Sequence, residues 1–300
     1  MAQQINRRAF LEGAASAAAI LGLGAVSLAA EKDAGPRRAR KIQKSLKLSM
    51  LPKMSGMEER LKVAADAGFD AVEPATMFDP AEVKAIRDAA DKAAIRLDAV
   101  LCSKHWSHPL SDPDPKTVEV CMEAMRLSLR NAKEIGADMV LLVPAVVKPA
   151  VMYRDAYARS LEKVKELARD AEELGVTIGL ENVWNKFLLS PLEFKQYVEE
   201  VGSPKVKVWF DVGNVLLFGY PQDWILTLGN LIARVDVKDY DVQKKEFVPL
   251  REGSVDWPAV MRAFDQIGYE GYFAAEVKGG DLAYLSEKVS KPMDLIIAGQ

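Results

Sequence analysis

Val206-Lys207-Val208-Trp209-Phe210-Asp211-Val212-Gly213-Asn214 is a short apolar run that closes on an acidic side chain, and the chain repeats that design three more times. Runs 176–183, 206–214, 231–239 and 271–277 each read as a buried strand, with Glu181, Asp211, Asp236 and Glu276 at their C-terminal ends. The acids lie 30, 25 and 40 positions apart, the pitch of successive βα units. Strands that close into a parallel barrel bring such residues together at the mouth, where barrel enzymes keep their chemistry. Four carboxylates gathered without a cation repel one another and desolvate badly, so the cluster points to a divalent metal ion.

Outward from these runs the same alternation continues. Further strands are expected at 46–51, 69–75, 96–103 and 139–145, making eight. Helices are expected at 55–67, 80–93, 115–135, 153–174, 191–201, 222–229, 257–267 and 281–288. Pro80, Pro115, Pro191 and Pro258 stand at or near helix starts, and Gly68, Gly136, Gly175 and Gly268 just past helix ends. Eight strands alternating with eight helices predict an α/β fold, a (β/α)8 TIM barrel spanning residues 46–300. The alternative is an open doubly wound sheet, but no G-x-G-x-x-G follows any strand and the acids recur over four strands.

Composition is that of an ordinary globular chain: 300 residues, 49% apolar and 28% charged, with a net charge of −3. No basic stripe awaits nucleic acid. Cys102 and Cys121 lack metal-module spacing, and so large a core does not need a disulfide. Residues 1–30 differ in kind. Asn6-Arg7-Arg8-Ala9-Phe10-Leu11 precedes a weakly hydrophobic Ala/Gly-rich stretch that ends in Ser27-Leu28-Ala29-Ala30, and resembles a twin-arginine export signal. Eighteen residues without a polar face could just cross a bilayer, but their Ala/Gly bias makes a poor anchor, so the mature protein is not expected to be membrane-embedded. The expected partner is the twin-arginine export machinery and the expected location periplasmic. Residues 31–45, with Gly35-Pro36 and a basic cluster at 37–41, read as a linker.

Leu180-Glu181-Asn182, Phe210-Asp211-Val212-Gly213-Asn214, Val235-Asp236-Val237-Lys238-Asp239 and Ala275-Glu276, with Val255-Asp256-Trp257 and 267–271, resemble the xylose-isomerase-like sugar phosphate isomerase/epimerase superfamily from residue 46 to about 299. The resemblance implies a metal held by Glu181, Asp211, Asp236 and Glu276, with Asp236 where that superfamily usually carries histidine. An all-oxygen shell favours Mn²⁺ or Mg²⁺ over Zn²⁺. A competing reading pairs Asp236 with Lys238 and leaves three ligands or none. Arg234 and Lys238, two residues to either side of Asp236 on one strand face, are expected to offset its charge.

By the same resemblance Glu181 and Glu276 flank the substrate carbon and carry protons. A cation that polarises a carbonyl and its adjacent hydroxyl acidifies the C–H between them, and loss of that proton gives an enediolate. Asn214 stands where many relatives have histidine, and hydrogen-bonds a sugar hydroxyl without titrating. His105, Glu73, Trp184 and Lys238 complete the expected substrate contacts. Each has a plainer reading: a loop histidine, a Glu73–Lys53 pair, a packed tryptophan and a charge-balancing lysine. His105 and His108 are the chain's two histidines, too few for a histidine-rich zinc cluster.

The function expected is isomerisation or epimerisation of a small carbohydrate, non-phosphorylated because export removes it from cytoplasmic sugar phosphates. Keto-sugars and glycosides fall within that class. A metal-dependent lyase or dehydratase acting on a keto-sugar or cyclitol shares the enolising step. A periplasmic sugar-binding barrel without catalysis is the non-enzymatic alternative.

Overall fold

The computed structural model describes residues 40–54 and 56–300. The export signal expected over 1–30 lies outside them. The strands are β1 (Ile42–Lys47), β2 (Ala71–Glu73), β3 (Arg96–Leu97), β4 (Ala99–Leu101), β5 (Met139–Leu142), β6 (Thr177–Glu181), β7 (Val206–Asp211), β8 (Ile232–Val237), β9 (Asp239–Asp241), β10 (Glu246–Val248) and β11 (Gly271–Ala275). All but β9 and β10 form one parallel sheet, ordered β3-β2-β1-β11-β8-β7-β6-β5-β4. Its two ends, β3 and β4, are consecutive in the chain with only Asp98 between them, so the sheet closes on itself as the expected barrel.

The strand alternation divides the core in two. Leu46, Val72, Ile178, Leu180, Val208, Phe210, Val235, Val237 and Phe273 belong to the large apolar layer between barrel and helices. The opposite faces fill the barrel lumen with a small cluster of Ala99, Met139, Leu141 and Trp209, and otherwise with Ser45, Lys47, Glu73, Asp98, Arg234 and Asp236, all buried. Gly179 makes room for the indole, since a Cβ there would sit 2.9 Å from the Trp209 ring.

Helix punctuation follows the sequence. Asp79, Asp114 and Asp256 each accept a backbone N–H at the N-terminus of a helix that has proline in its first turn. Gly136, Gly175 and Gly268 cap helix ends in left-handed backbone. The first strand departs from expectation. It starts at Ile42, so the segment read as the end of the linker is barrel, and Leu48–Met50 is a 3-10 turn. Polar residues at 43, 45 and 47 concealed a strand whose inner face looks onto charge. The last expected helix is three pieces: a turn at Leu282–Tyr284, a wider-wound segment at Leu285–Ser290, and the helix Lys291–Ile297. Ile296 is fully buried there and Arg40 donates to the carbonyl of Ile297, so this end packs on its own barrel.

The hairpin β9–β10 was not expected. Fully buried Asp239 holds it, accepting from the backbone of Tyr240 at 2.9 Å, Arg251 at 3.0 Å and Val255 at 3.2 Å, and from Trp257 Nε1 at 3.1 Å. A Cβ at Gly253 would lie 2.1 Å from Asp239 Oδ1, so glycine is what lets the loop close around the carboxylate. Asp239→Ala strands four donors, and the expected loss is about 3 kcal/mol or more of stability. The shift of the urea midpoint, followed by far-UV circular dichroism, measures it.

Candidate metal centre

Glu181 ends β6, Asp211 ends β7, Asp236 lies in β8 and Glu276 follows β11. The register sets Asp211 beside Asp236 and Ala274 beside Asp236, so three neighbouring strands deliver their acids to one side of the mouth. Each of the four residues offers one oxygen, and these lie within 4.8 Å of one another. Asp211 and Asp236 are fully buried, Glu181 is buried and Glu276 is half-buried.

Local structure fixes this geometry. Asp211 caps the short helix Val212–Val215, its Oδ1 accepting from Asn214 N at 2.7 Å. Asn182 clamps the same turn, donating to the Asp211 carbonyl and accepting from Asp211 N, both at 2.8 Å. Asn214 Nδ2 donates to the carbonyl of Asn182 at 2.9 Å. Asn214 therefore ties the loops after β6 and β7 together through one N–H of its side-chain amide. Asn182 is the more important of the two for placing Asp211, which its motif position did not reveal.

Two lysines serve the cluster. Lys238 Nζ lies 2.5 Å from Glu276 Oε2 and 3.0 Å from Asp211 Oδ2. Its stem runs over Gly213, where a Cβ would come within 2.7 Å of Lys238 Cγ. Asp236 does not pair with Lys238. Lys47 Nζ takes Asp236 Oδ1 at 2.7 Å and Glu73 Oε2 at 2.6 Å. That also corrects the Glu73–Lys53 pairing, since Lys53 is exposed. Arg234, expected to offset Asp236, reaches away from the mouth to Asp98 and to Asp138 at 3.0 Å.

Electrostatics favour an added cation. Five carboxylates, counting Glu73, and two ammonium groups leave three net negative charges when all are ionised, and a divalent ion reduces that to one. Burial, then the Glu276 and Asp236 charges, raises Glu181 well above the usual carboxylate range. Burial pushes Asp211 and Asp236 up to about 7, against the pull of Lys238 on one and Lys47 on the other. At Glu276 burial acts upward too, but Lys238 and Lys47 outweigh it and hold the group below its ordinary value. Asp236 Oδ2 is buried and accepts no hydrogen bond, and Asp211 Oδ2 meets only the Lys238 ammonium. A buried oxygen without a partner, in an all-carboxylate donor set, fits a hard divalent ion.

The other expected residues surround this centre unequally. Trp184, 40% exposed, donates from Nε1 to the Asn214 carbonyl at 3.0 Å and stacks on Phe247 with centroids 4.9 Å apart. Phe247 comes from β10, and Lys238 Nζ is 5.1 Å from its ring centre, so the hairpin adds an aromatic wall beside the carboxylates. His105 is buried, with Nδ1 accepting from Val143 N at 3.2 Å. That ring nitrogen is committed to the loop after β5. His108 Nδ1 bonds Ser107 Oγ at 2.8 Å. Cys102 and Cys121 are free and buried.

Fold and site together define a (β/α)8 barrel with a cluster of four carboxylates at its C-terminal mouth that could hold a cation. Residues 61–295 match the xylose isomerase-like TIM barrel, and the chain belongs to that family. L-ribulose-5-phosphate 3-epimerase UlaE of Salmonella paratyphi A is 24% identical over 251 residues, covering 80% of this chain and 88% of that protein. A crystal structure of D-psicose 3-epimerase in the presence of D-fructose superposes with a TM-score of 0.72 at 20% identity, over 86% of this chain and 100% of the other. The IolI protein, in a structure with a bound zinc atom, gives 0.72 at 18% identity, over 86% and 98%.

The raised carboxylates fix a sign. A group whose folded pKa exceeds its unfolded value binds its proton more tightly when folded, so stability declines as pH rises from about 4 through about 7. In chelator the thermal midpoint is expected to fall between pH 5 and pH 8 by this contribution. Added Mn²⁺ should raise it, and more at pH 8, where protons no longer compete for the oxygens. Differential scanning fluorimetry over that range, with and without metal, measures both effects.

Proposed function

We propose that this barrel is a divalent-metal-dependent 3-epimerase or isomerase of a free, non-phosphorylated ketose or related keto-sugar. The observation that carries the reading is the pair Glu181 and Glu276, in one cluster with Asp211 and Asp236 but driven in opposite pKa directions. An acid and a base held apart in this way are what proton transfer on and off one carbon requires. The epimerase relatives support the reaction class.

Glu181, Asp211, Asp236 and Glu276 would hold the ion, with Mn²⁺ or Mg²⁺ preferred by the oxygen donors. The ion's contribution when bound is to polarise a carbonyl and its neighbouring hydroxyl. Glu276, the more acidic of the pair, takes the proton from the intervening carbon, and the C–H electron pair becomes the enediolate double bond. Glu181 returns a proton to the opposite face, which inverts the centre. In the reverse direction the roles exchange. Return to the neighbouring carbon gives the isomer instead.

The charges argue against a phosphate in the immediate site. Lys47 and Lys238, the ammonium groups touching the cluster, are both engaged by carboxylates. Export through the twin-arginine pathway, proposed from residues 1–30, would place the protein in the periplasm with substrates of the same free-sugar kind. The Trp184–Phe247 wall offers the apolar surface that a sugar ring face packs against.

A panel of D-fructose, D-psicose and D-tagatose in D₂O with Mn²⁺, followed by NMR, tests the reading. Deuterium incorporation with no loss of water or carbon is the expected result. Loss of water or fragmentation would favour the lyase, and saturable binding without exchange the binding protein. Glu181→Gln and Glu276→Gln are each expected to lower exchange by roughly a hundredfold to ten-thousandfold while leaving the fold intact.

A further inference from the structure

A buried ammonium group stands behind the carboxylate cluster. Lys47 ends β1 with its side chain only 4% exposed, between Glu73 and Asp236, whose side chains are completely buried. Its three N–H donors have three destinations. Two go to Glu73 Oε2 and Asp236 Oδ1 at 2.6 and 2.7 Å, and the ring of Trp209 lies under Nζ with its centre 4.7 Å away. Trp209 is itself fully buried, so Lys47 is enclosed on that side. Lys238 is placed differently, on the cluster oxygens of Asp211 and Glu276. Lys47 touches Asp236 alone of the four candidate ligands, through the oxygen opposite the orphaned Oδ2.

We infer that Lys47 is a positioning residue for the cation centre: by gripping Asp236 through Oδ1, with Glu73 as its other anchor, it holds the carboxylate in the orientation that leaves Oδ2 free to ligate. The inference rests on the cluster being a cation site. The register supports it, because Lys47 and Glu73 are paired residues of adjacent strands and Asp236 reaches Lys47 from β8, next but one to β1 in the sheet. Without the ammonium the two acids lose their common partner, and nothing then fixes Asp236 in the rotamer that serves the cluster. Simple charge repulsion makes the opposite forecast. A lysine that merely opposed the cation would, on removal, tighten binding.

Mn²⁺ titration of the purified full-length protein, by isothermal calorimetry with the Mn²⁺ spin-resonance spectrum as a second readout, separates the two. Lys47→Met and Asp236→Asn are each expected to weaken Mn²⁺ binding roughly tenfold to a hundredfold. The double variant should bind no more weakly than the poorer single variant, because Lys47 acts through Asp236. The resonance spectrum should change in the same way in all three. Binding by Lys47→Met as tight as in the wild type, or tighter, overturns the inference, as do losses that multiply in the double variant. If Lys47→Met does not fold, Lys47→Gln is read by the same criteria. Wild-type protein that takes up no Mn²⁺ overturns the cation reading and this inference with it. Wild-type binding with an indifferent Lys47 overturns this inference alone.

Discussion

Charge buried inside the barrel is the constraint to which the rest of the structure answers. Isolated carboxylates taken out of water at this depth would cost several kcal/mol each, and the lumen holds several. The barrel therefore carries its own counter-charges in tiers. Lys238 serves the mouth, Lys47 the level below it, and Arg234 the floor, where it meets Asp98 and Asp138. Trp209 lies against both of the last two cations, with centroid distances of 4.7 Å to Lys47 and 5.5 Å to Arg234. Losing one member of such a set leaves an uncompensated charge, so the tiers specify register as well as chemistry.

Much of this was legible in the sequence. The acidic strand ends of β6, β7, β8 and β11 and the Pro/Gly helix punctuation are local signals, and they led to the barrel and to its four clustered acids. What escaped the sequence has a common physical cause. Lys47 sits in Ser45-Leu46-Lys47-Leu48, where polar and apolar residues alternate, but a strand lining an ionic lumen looks like a half-exposed one, so its start was put too late. The competing reading paired Asp236 with Lys238 by proximity in the chain, whereas its partner Lys47 is 189 residues away, on the strand next but one in the sheet. Long-range pairing of charges leaves no periodicity to read.

The loops around the centre illustrate the same limit. Asn214 was read as a sugar contact from its motif position alone, which does not show that its side chain and that of Asn182 also bond the backbone around Asp211 and Asn182. Their contribution is rigidity: Asn182 holds the Asp211 backbone through two bonds, and the Asp211 carboxylate cannot swing from the cluster without breaking its bond from Asn214 N. Phe247 was overlooked because β9 and β10 are each only three residues long, too short to register as strands.

Arg40 makes a bidentate contact with Asp265, both bonds 2.7 Å, and also binds the carbonyl of Ile297. The segment leading into β1 is thereby riveted to the helix Lys291–Ile297, at the end of the barrel opposite the carboxylates, because β1 runs from there toward the mouth. Both ends of the barrel domain thus meet on its floor. A support joined beyond the helix Lys291–Ile297 would pull on that clasp from the floor, on the side of the barrel away from its opening, a polarity useful for immobilising the protein in one orientation.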